Sequence, residues 1–233
     1  NSNFGITSIL GYDIPITAIC GDQQSSLFGQ GCFSEGEAKI TYGTGCFMLL
    51  NSGEKPILSE KGLLTTIGIS TNNKINYALE GSVFAGGTVI KWLRDNMGVI
   101  KNAAESEYVA RSIPDNGGVY IVPAFVGLGT PHWDSDARGT IMGLTFGNDT
   151  RHIVRAGLEA IAYQCYDVIS VMEKEMGKEV IALKVDGGAA LNDFLMEFQS
   201  AILNKKIYRP VVYESTAYGV YILSTLNLGI EKD

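Results

Sequence analysis

Apolar residues recur along the chain with two distinct periods, and the change from one to the other predicts the order of elements. In the first third, short runs rich in β-branched and aromatic residues are punctuated by glycine. Residues 38–42 and 46–51 are two such runs joined by Gly43-Thr44-Gly45, the pattern of a hairpin. Further strands are predicted over 76–80 and 119–123. Over 86–97 the spacing becomes helical, with Ile90, Leu93 and Met97 on one face. The longest periodic segment starts near Thr150: Ile153, Gly157, Ile161, Cys165, Val168 and Met172 recur every three or four residues as one stripe. Asp149 and Thr150 suit its start, and Gly177 its stop. A strand over 181–185 runs into Asp186-Gly187-Gly188, and helices over 192–203 and 216–226 follow. Strands first, then helices interleaved with single strands, predict an α/β fold with a mixed central sheet flanked by helices. One domain over 1–233 is the economical reading, because the 28 glycines cluster at strand ends rather than in a linker.

Composition narrows the function classes. A chain of 233 residues, 45% hydrophobic, can bury a full core. Lysine and arginine total 18 against 25 acidic residues, a net charge of −7, with no basic run, so a nucleic-acid partner is not supported. The apolar stretches fall short of the roughly 18 residues of a membrane span. Asn1-Ser2-Asn3 does not open a signal peptide. Cys20, Cys32, Cys46 and Cys165 are widely spaced without a CxxC, and read as small buried hydrophobes in a reduced, cytoplasmic setting. With only His132 and His152 present, a histidine-based metal site is not expected.

Three places carry candidate chemistry. Asp22, in Gly21-Asp22-Gln23-Gln24, follows an apolar segment and precedes residues that can start a helix. Its carboxylate could cap that helix, the ordinary role of a lone aspartate there, or accept a proton from a substrate hydroxyl. Thr44, bracketed by glycines in the predicted hairpin, offers a hydroxyl and backbone N–H groups to an anion; an ordinary turn is the plainer reading. Asp186-Gly187-Gly188-Ala189 ends a strand, and Asn192 begins a helix whose N-terminus would face negative charge, unless this is simply a tight turn with an N-cap. It is neither a Walker A loop nor a GxGxxG fingerprint. Trp92 and Trp133 are expected in the core rather than stacked on a ligand, and Arg138 is expected to pair with a nearby aspartate.

Taken together and in this order, five stretches resemble the FGGY carbohydrate kinases, most closely the members that phosphorylate glycerol. They are Gly21-Asp22-Gln23-Gln24 with Leu27-Phe28-Gly29-Gln30; Thr41-Tyr42-Gly43-Thr44-Gly45-Cys46-Phe47-Met48; Pro123-Ala124-Phe125 through Pro131-His132-Trp133-Asp134 to Ala137-Arg138-Gly139; Gly143-Leu144-Thr145 running to His152-Ile153-Val154-Arg155-Ala156; and Asp186-Gly187-Gly188-Ala189 with Asn192-Asp193-Phe194-Leu195-Met196. The resemblance covers essentially the whole chain and implies an actin/hexokinase-like ATPase built from two ribonuclease-H-like domains that close on ATP and substrate. This chain looks like the second, nucleotide-binding one. On that pattern Asp22 is the base toward the glycerol hydroxyl, Gln23 helps hold glycerol, and Phe47 packs on its carbons. Thr44 touches the nucleotide phosphates, and Gly87, Gly188 and Asn192 line the nucleotide site. The implied activity is ATP-dependent phosphorylation of glycerol to glycerol 3-phosphate with Mg²⁺. The implied partners are an N-terminal FGGY domain and, as in many relatives, further copies in a homo-oligomer.

The chain departs from the pattern in places. Lys91 stands where bacterial relatives usually carry a glutamine, and a solvated role is expected for it. Gly157 replaces a larger residue and should weaken its helix, and Ala217-Tyr218-Gly219 is bulkier than usual. Neither regulatory feature of some relatives, a basic loop or a phosphorylated histidine, stands before Asp22. The first-domain substrate residues and the last helices of the family are expected outside these 233 residues, leaving the chain by itself inactive or nearly so. A kinase for another polyol or sugar, or a non-catalytic nucleotide-binding module, are the competing readings; Gln23 and Phe47 favour a three-carbon substrate, and Asp22 favours catalysis.

Overall fold

A computed structural model describes residues 1–71, 74–211 and 214–231. β1 (Gly5–Thr7) and β2 (Ile14–Ile16) form a small antiparallel ribbon ahead of helix α1 (Asp22–Gly29). Then come β3 (Glu37–Tyr42), β4 (Cys46–Gly53), β5 (Leu64–Thr71) and β6 (Lys74–Val83). Helices α2 (Gly87–Asp95) and α3 (Glu105–Arg111) precede the paired strands β7 (Tyr120–Val122) and β8 (Thr140–Met142). Helix α4 (Thr150–Met176), β9 (Ala182–Asp186), a 3₁₀ turn (Gly188–Leu191), α5 (Asp193–Leu203), β10 (Ile207–Tyr208) and α6 (Ser215–Asn227) complete the order.

The main sheet has six strands in the order β10-β9-β3-β4-β6-β5. The predicted hairpin is the antiparallel pair β3–β4, and β9 adds parallel to β3, so the sheet is mixed as expected. Side chains alternate across its two faces. Ile40, Tyr42, Met48, Leu50, Leu79, Leu183 and Val185 join one apolar core with Leu158, Ile161, Val168 and Ile169 of α4. The opposite face is covered by α1, and α1 packs on α6. There the apolar contact shrinks to Leu27, Cys32, Leu49 and Ala78.

The termini of α4 follow local rules. The Asp149 carboxylate accepts from the Arg151 N–H at 2.9 Å, His152 reaches back to the Asp149 N–H at 3.0 Å, and Gly177 ends the helix left-handed at φ 69°. Gly157 has a packing purpose the sequence reading lacked: a Cβ there would lie 2.9 Å from Leu93 Cδ1, so the glycine lets α2 approach α4 closely. Gly219 similarly lets α6 rest against the Ser25 backbone of α1, while Tyr218 stacks on Tyr221 at 6.3 Å.

Several expectations need correcting. Helix α2 stops at Asp95, which leaves Met97 40% exposed rather than on the buried face. Trp92 packs against Phe125, with centroids 4.8 Å apart, but Trp133 is 47% exposed, its indole N–H donating to the Gly62 carbonyl at 2.6 Å. Arg138 donates to the carbonyls of Ser135 and Ala137 at 2.9 and 2.8 Å, and makes no ion pair with aspartate among the described residues. Of the cysteines, Cys32, Cys46 and Cys165 are buried as expected, whereas Cys20 is half-buried. No helix among the described residues is long and apolar enough to cross a membrane.

Candidate functional site

Two glycine bends meet at the ends of neighbouring parallel strands. Thr41 of β3 lies in register with Asp186 of β9, so the chain leaves both parallel strands at the same end of the sheet. Gly187 has φ 88°, and its Cα sits so close to the Tyr42 backbone that a Cβ would fall 2.5 Å from the Tyr42 oxygen. The Gly43–Gly45 turn is pinned from the other side by α2: the Gly87 N–H donates to the Gly43 carbonyl at 2.8 Å, and the Gly86 N–H to the Thr44 carbonyl at 3.0 Å. These bends wall a cavity of about 490 Å³, lined among others by Gly43, Gly87, Ile90, Gly188, Ala189 and Asn192. Three of the four residues assigned to a nucleotide therefore share one cavity. Thr44, the fourth, is exposed on the turn beside it.

The cavity's chemistry suits a nucleotide. Ile90, Ala103, Ala104 and Leu191 give it apolar walls; Lys91 and Arg94, the latter paired with Asp95, bring positive charge against one carboxylate, Glu107. Gly188 has nothing within 4 Å of where a Cβ would be, so its backbone is open to a ligand. Asn192 is committed to structure: its oxygen accepts from the Leu195 N–H at 2.9 Å as the N-cap of α5, and its Nδ2 donates to Ser106 Oγ at 3.1 Å. Lys91, expected to be merely solvated, is exposed and also lines this cavity.

Asp22, Gln23 and Phe47 lie outside the cavity, on the α1 side of the sheet. The N-cap of α1 is Gly21, with no side-chain cap bond, so the capping role weighed for Asp22 is not the one observed. Asp22 is instead the first helical residue, exposed, its Oδ1 accepting the Gln23 N–H at 2.8 Å. Phe47 is directly opposite Thr41 across the hairpin and therefore shares its face. A polar string joins this end to the glycine bends. Lys39 donates to Gln23 Oε1 and to Thr41 Oγ1 (2.9 Å); Thr41 Oγ1 is 3.5 Å from Ser26 Oγ; and Ser26 and Ser215 both donate to Asp186 Oδ2, the former at 3.0 Å.

Sequence reasoning passed over most of that string. Lys39 is buried, and burial pulls its ammonium down to about 8 against the opposing pull of Asp186, Asp22 and Glu80. Burial also raises the Glu80 carboxyl. The available signal was the alternation Glu37, Lys39, Thr41 against Ala38, Ile40, Tyr42, which puts a lysine on a strand face that α1 must cover.

The fold defines a mixed-sheet α/β lobe of the ribonuclease-H-like (actin/hexokinase-like) type, with a cavity at its glycine bends. Residues 38–228 match the FGGY family of carbohydrate kinases, C-terminal domain, and the chain belongs to that family. It is 57% identical over 221 residues to a glycerol kinase of Petrotoga mobilis, a match that spans 95% of this chain and 44% of that relative. A glycerol kinase of Fusobacterium nucleatum is likewise 57% identical, over 94% of this chain and 44% of its own length. The chain thus spans less than half the length of the curated relatives it matches. The crystal structure of Plasmodium falciparum glycerol kinase with ADP superposes with a TM-score of 0.93 at 42% identity, covering 100% of this chain and 47% of that one.

Proposed function

We propose that this chain is the nucleotide-binding half of an enzyme that transfers the terminal phosphate of ATP to glycerol, giving glycerol 3-phosphate. The observation that carries the reading is the exposed Asp22 carboxylate at the start of α1, beside Gln23, from which a polar string through Lys39, Thr41 and Ser26 leads to Asp186, just before the glycine bend that walls a cavity of nucleotide size. The identity to glycerol kinases supports the choice of alcohol, and the ADP named with the Plasmodium structure supports the nucleotide.

ATP supplies the transferable phosphoryl group. Asp22 accepts the proton of the attacking hydroxyl, Gln23 orients the polyol, and Phe47 covers its carbons. Within the Gly43–Gly45 turn, Thr44 offers its hydroxyl to the phosphates, while Gly87, Gly188 and Asn192 shape the base and ribose end. Such transfer depends on positioning and charge stabilisation more than on covalent chemistry, so a site divided between two lobes is physically reasonable. Among the described residues no cluster of three His, Cys, Asp or Glu could hold a metal ion. Mg²⁺ would accordingly be held mainly by phosphate oxygens and water, its usual mode with nucleotides. An N-terminal FGGY domain is the proposed partner that presents glycerol to Asp22.

The test is Asp22→Asn in the full-length enzyme. Glycerol-dependent ADP release should fall about 10³-fold or more, on the scale of losing an essential base, with ADP binding by calorimetry unchanged. Retained turnover, or a preference for another polyol across a substrate panel, would overturn the assignment.

A further inference from the structure

We propose that Lys39 is a positioning residue: it locks the Gln23 side-chain amide so that Gln23 offers the substrate a donor beside the acceptor Asp22, a pair matched to two adjacent hydroxyls. This deepens the proposed function and rests on it.

The geometry leaves little freedom. Lys39 is 0% exposed and sits under α1 on β3, donating to Gln23 Oε1 and, at 2.9 Å, to Thr41 Oγ1. An ammonium has three donors and no acceptor, so whichever amide atom faces it must be the oxygen. Gln23 Nε2 is then turned away from Lys39. Its contact with Asp22 Oδ2 is long, 3.4 Å, which leaves its N–H groups available to a ligand. Without the ammonium the amide oxygen loses its donor, and only the long contact to Asp22 is left to hold the Gln23 side chain in place. The donor that the second hydroxyl needs would then no longer be held at a fixed position beside Asp22. With Lys39 in place, one hydroxyl donates to Asp22 and its neighbour accepts from Gln23.

A purely structural role explains the charge poorly. Buried ion pairs are often replaced by apolar side chains of similar volume without loss of stability. Yet here a lysine is placed among Asp186, which is 4% exposed and has Oδ1 unpartnered among the described residues, Glu80 and Asp22. The same string connects Thr41 through Ser26 to Asp186, immediately before the Gly187-Gly188 bend, so Lys39 stands between the two halves of the site.

The experiment measures steady-state kinetics of the full-length enzyme for wild type, K39M, Q23A and the K39M/Q23A double variant, varying glycerol and ATP separately. K39M should raise the KM for glycerol about tenfold or more and leave the KM for ATP within about twofold. The double variant should be no worse than Q23A, because Lys39 acts through Gln23. Should K39M fail to fold, K39Q, which keeps an N–H donor, replaces it, with a smaller rise and the same non-additivity. The proposal is overturned if both KM values rise together, or if the K39 and Q23 effects multiply. A wild-type enzyme that releases no ADP with glycerol sinks the functional reading itself, and this inference with it, before any variant is compared.

Discussion

Strands β3, β4, β6 and β9 present two opposed surfaces. Toward α4 they show Ile40, Met48, Leu50, Leu79 and Val185, all fully buried. Toward α1 the same strands show Lys39, Thr41, Glu80 and Asp186, interrupted by Leu49 and Ala78. Because the side-chain period is two, each strand contributes to both surfaces at once, and one shift of register would exchange them. The apolar surface holds the lobe together. The polar one spends part of that stability on desolvated charges, and it is the one that carries Asp22 and Gln23. Stability and the proposed chemistry are thus separated by the thickness of one sheet.

The separation is broken most severely from the apolar side. Ile161 is fully buried in the α4 core, and Ile161→Ala should destabilise the protein by about 2–5 kcal/mol in denaturant unfolding, through lost transfer energy and a residual cavity. The glycerol KM of whatever folded enzyme remains should be unchanged. A shift in that KM would mean that the two surfaces are mechanically coupled.

A smaller, pH-dependent effect sharpens the comparison from the polar side. The Lys39 ammonium ordinarily titrates near 10.5, and burial lowers it to about 8 in the folded state, despite Asp186 on β9, Asp22 on α1, Glu80 on β6 and Cys32 after α1. Below pH 8 folded and unfolded chains both hold the proton, and the full penalty of the buried charge is present. Between about 8 and 10.5 the unfolded chain binds more protons than the folded one, so stability rises with pH. The wild-type curve, taken relative to K39M to cancel other groups, should gain roughly 3 kcal/mol across that window. Glycerol affinity should weaken over the same range, because a neutral amine no longer fixes the Gln23 amide. Stability and affinity moving in the same direction would contradict the division of labour between the faces.

How legible this was depended on range along the chain. Asp149, Gly177 and Asn192 were readable as helix ends because caps depend only on neighbouring residues. The β3–β4 hairpin was readable for the same reason. The parallel pairing of β3 with β9, which brings Thr41 beside Asp186, joins segments far apart in sequence and leaves no local mark. Lys39 was hidden by that same fact, since its partners come from α1, β6 and β9. Helix α3 escaped because seven residues give too little periodicity, and Trp133 was misjudged because aromatic character does not reveal an exposed loop position. For the site residues Asp22, Gln23, Phe47 and Thr44, their grouping came from resemblance, with local spacing consistent with ordinary turns and caps as well.

The finest test concerns how tightly the apolar surface is packed. Gly157 stands mid-helix in α4, where alanine would ordinarily gain about 1 kcal/mol of helix propensity. Here the added methyl would lie 2.9 Å from Leu93 Cδ1 and 3.4 Å from Val89 Cγ1, both on α2, whose first turn also pins the Gly43–Gly45 turn. Overpacking typically costs about 1–3 kcal/mol, so the gain and the loss largely offset each other, and Gly157→Ala should leave a net loss on the order of 1 kcal/mol. Because α2 would have to move back, a modest rise in the ATP KM should accompany it, with no change in the glycerol KM. A net gain in stability with both KM values unaltered would show that Leu93 simply turns aside, and that the α2–α4 contact does not set the position of the Gly43–Gly45 turn.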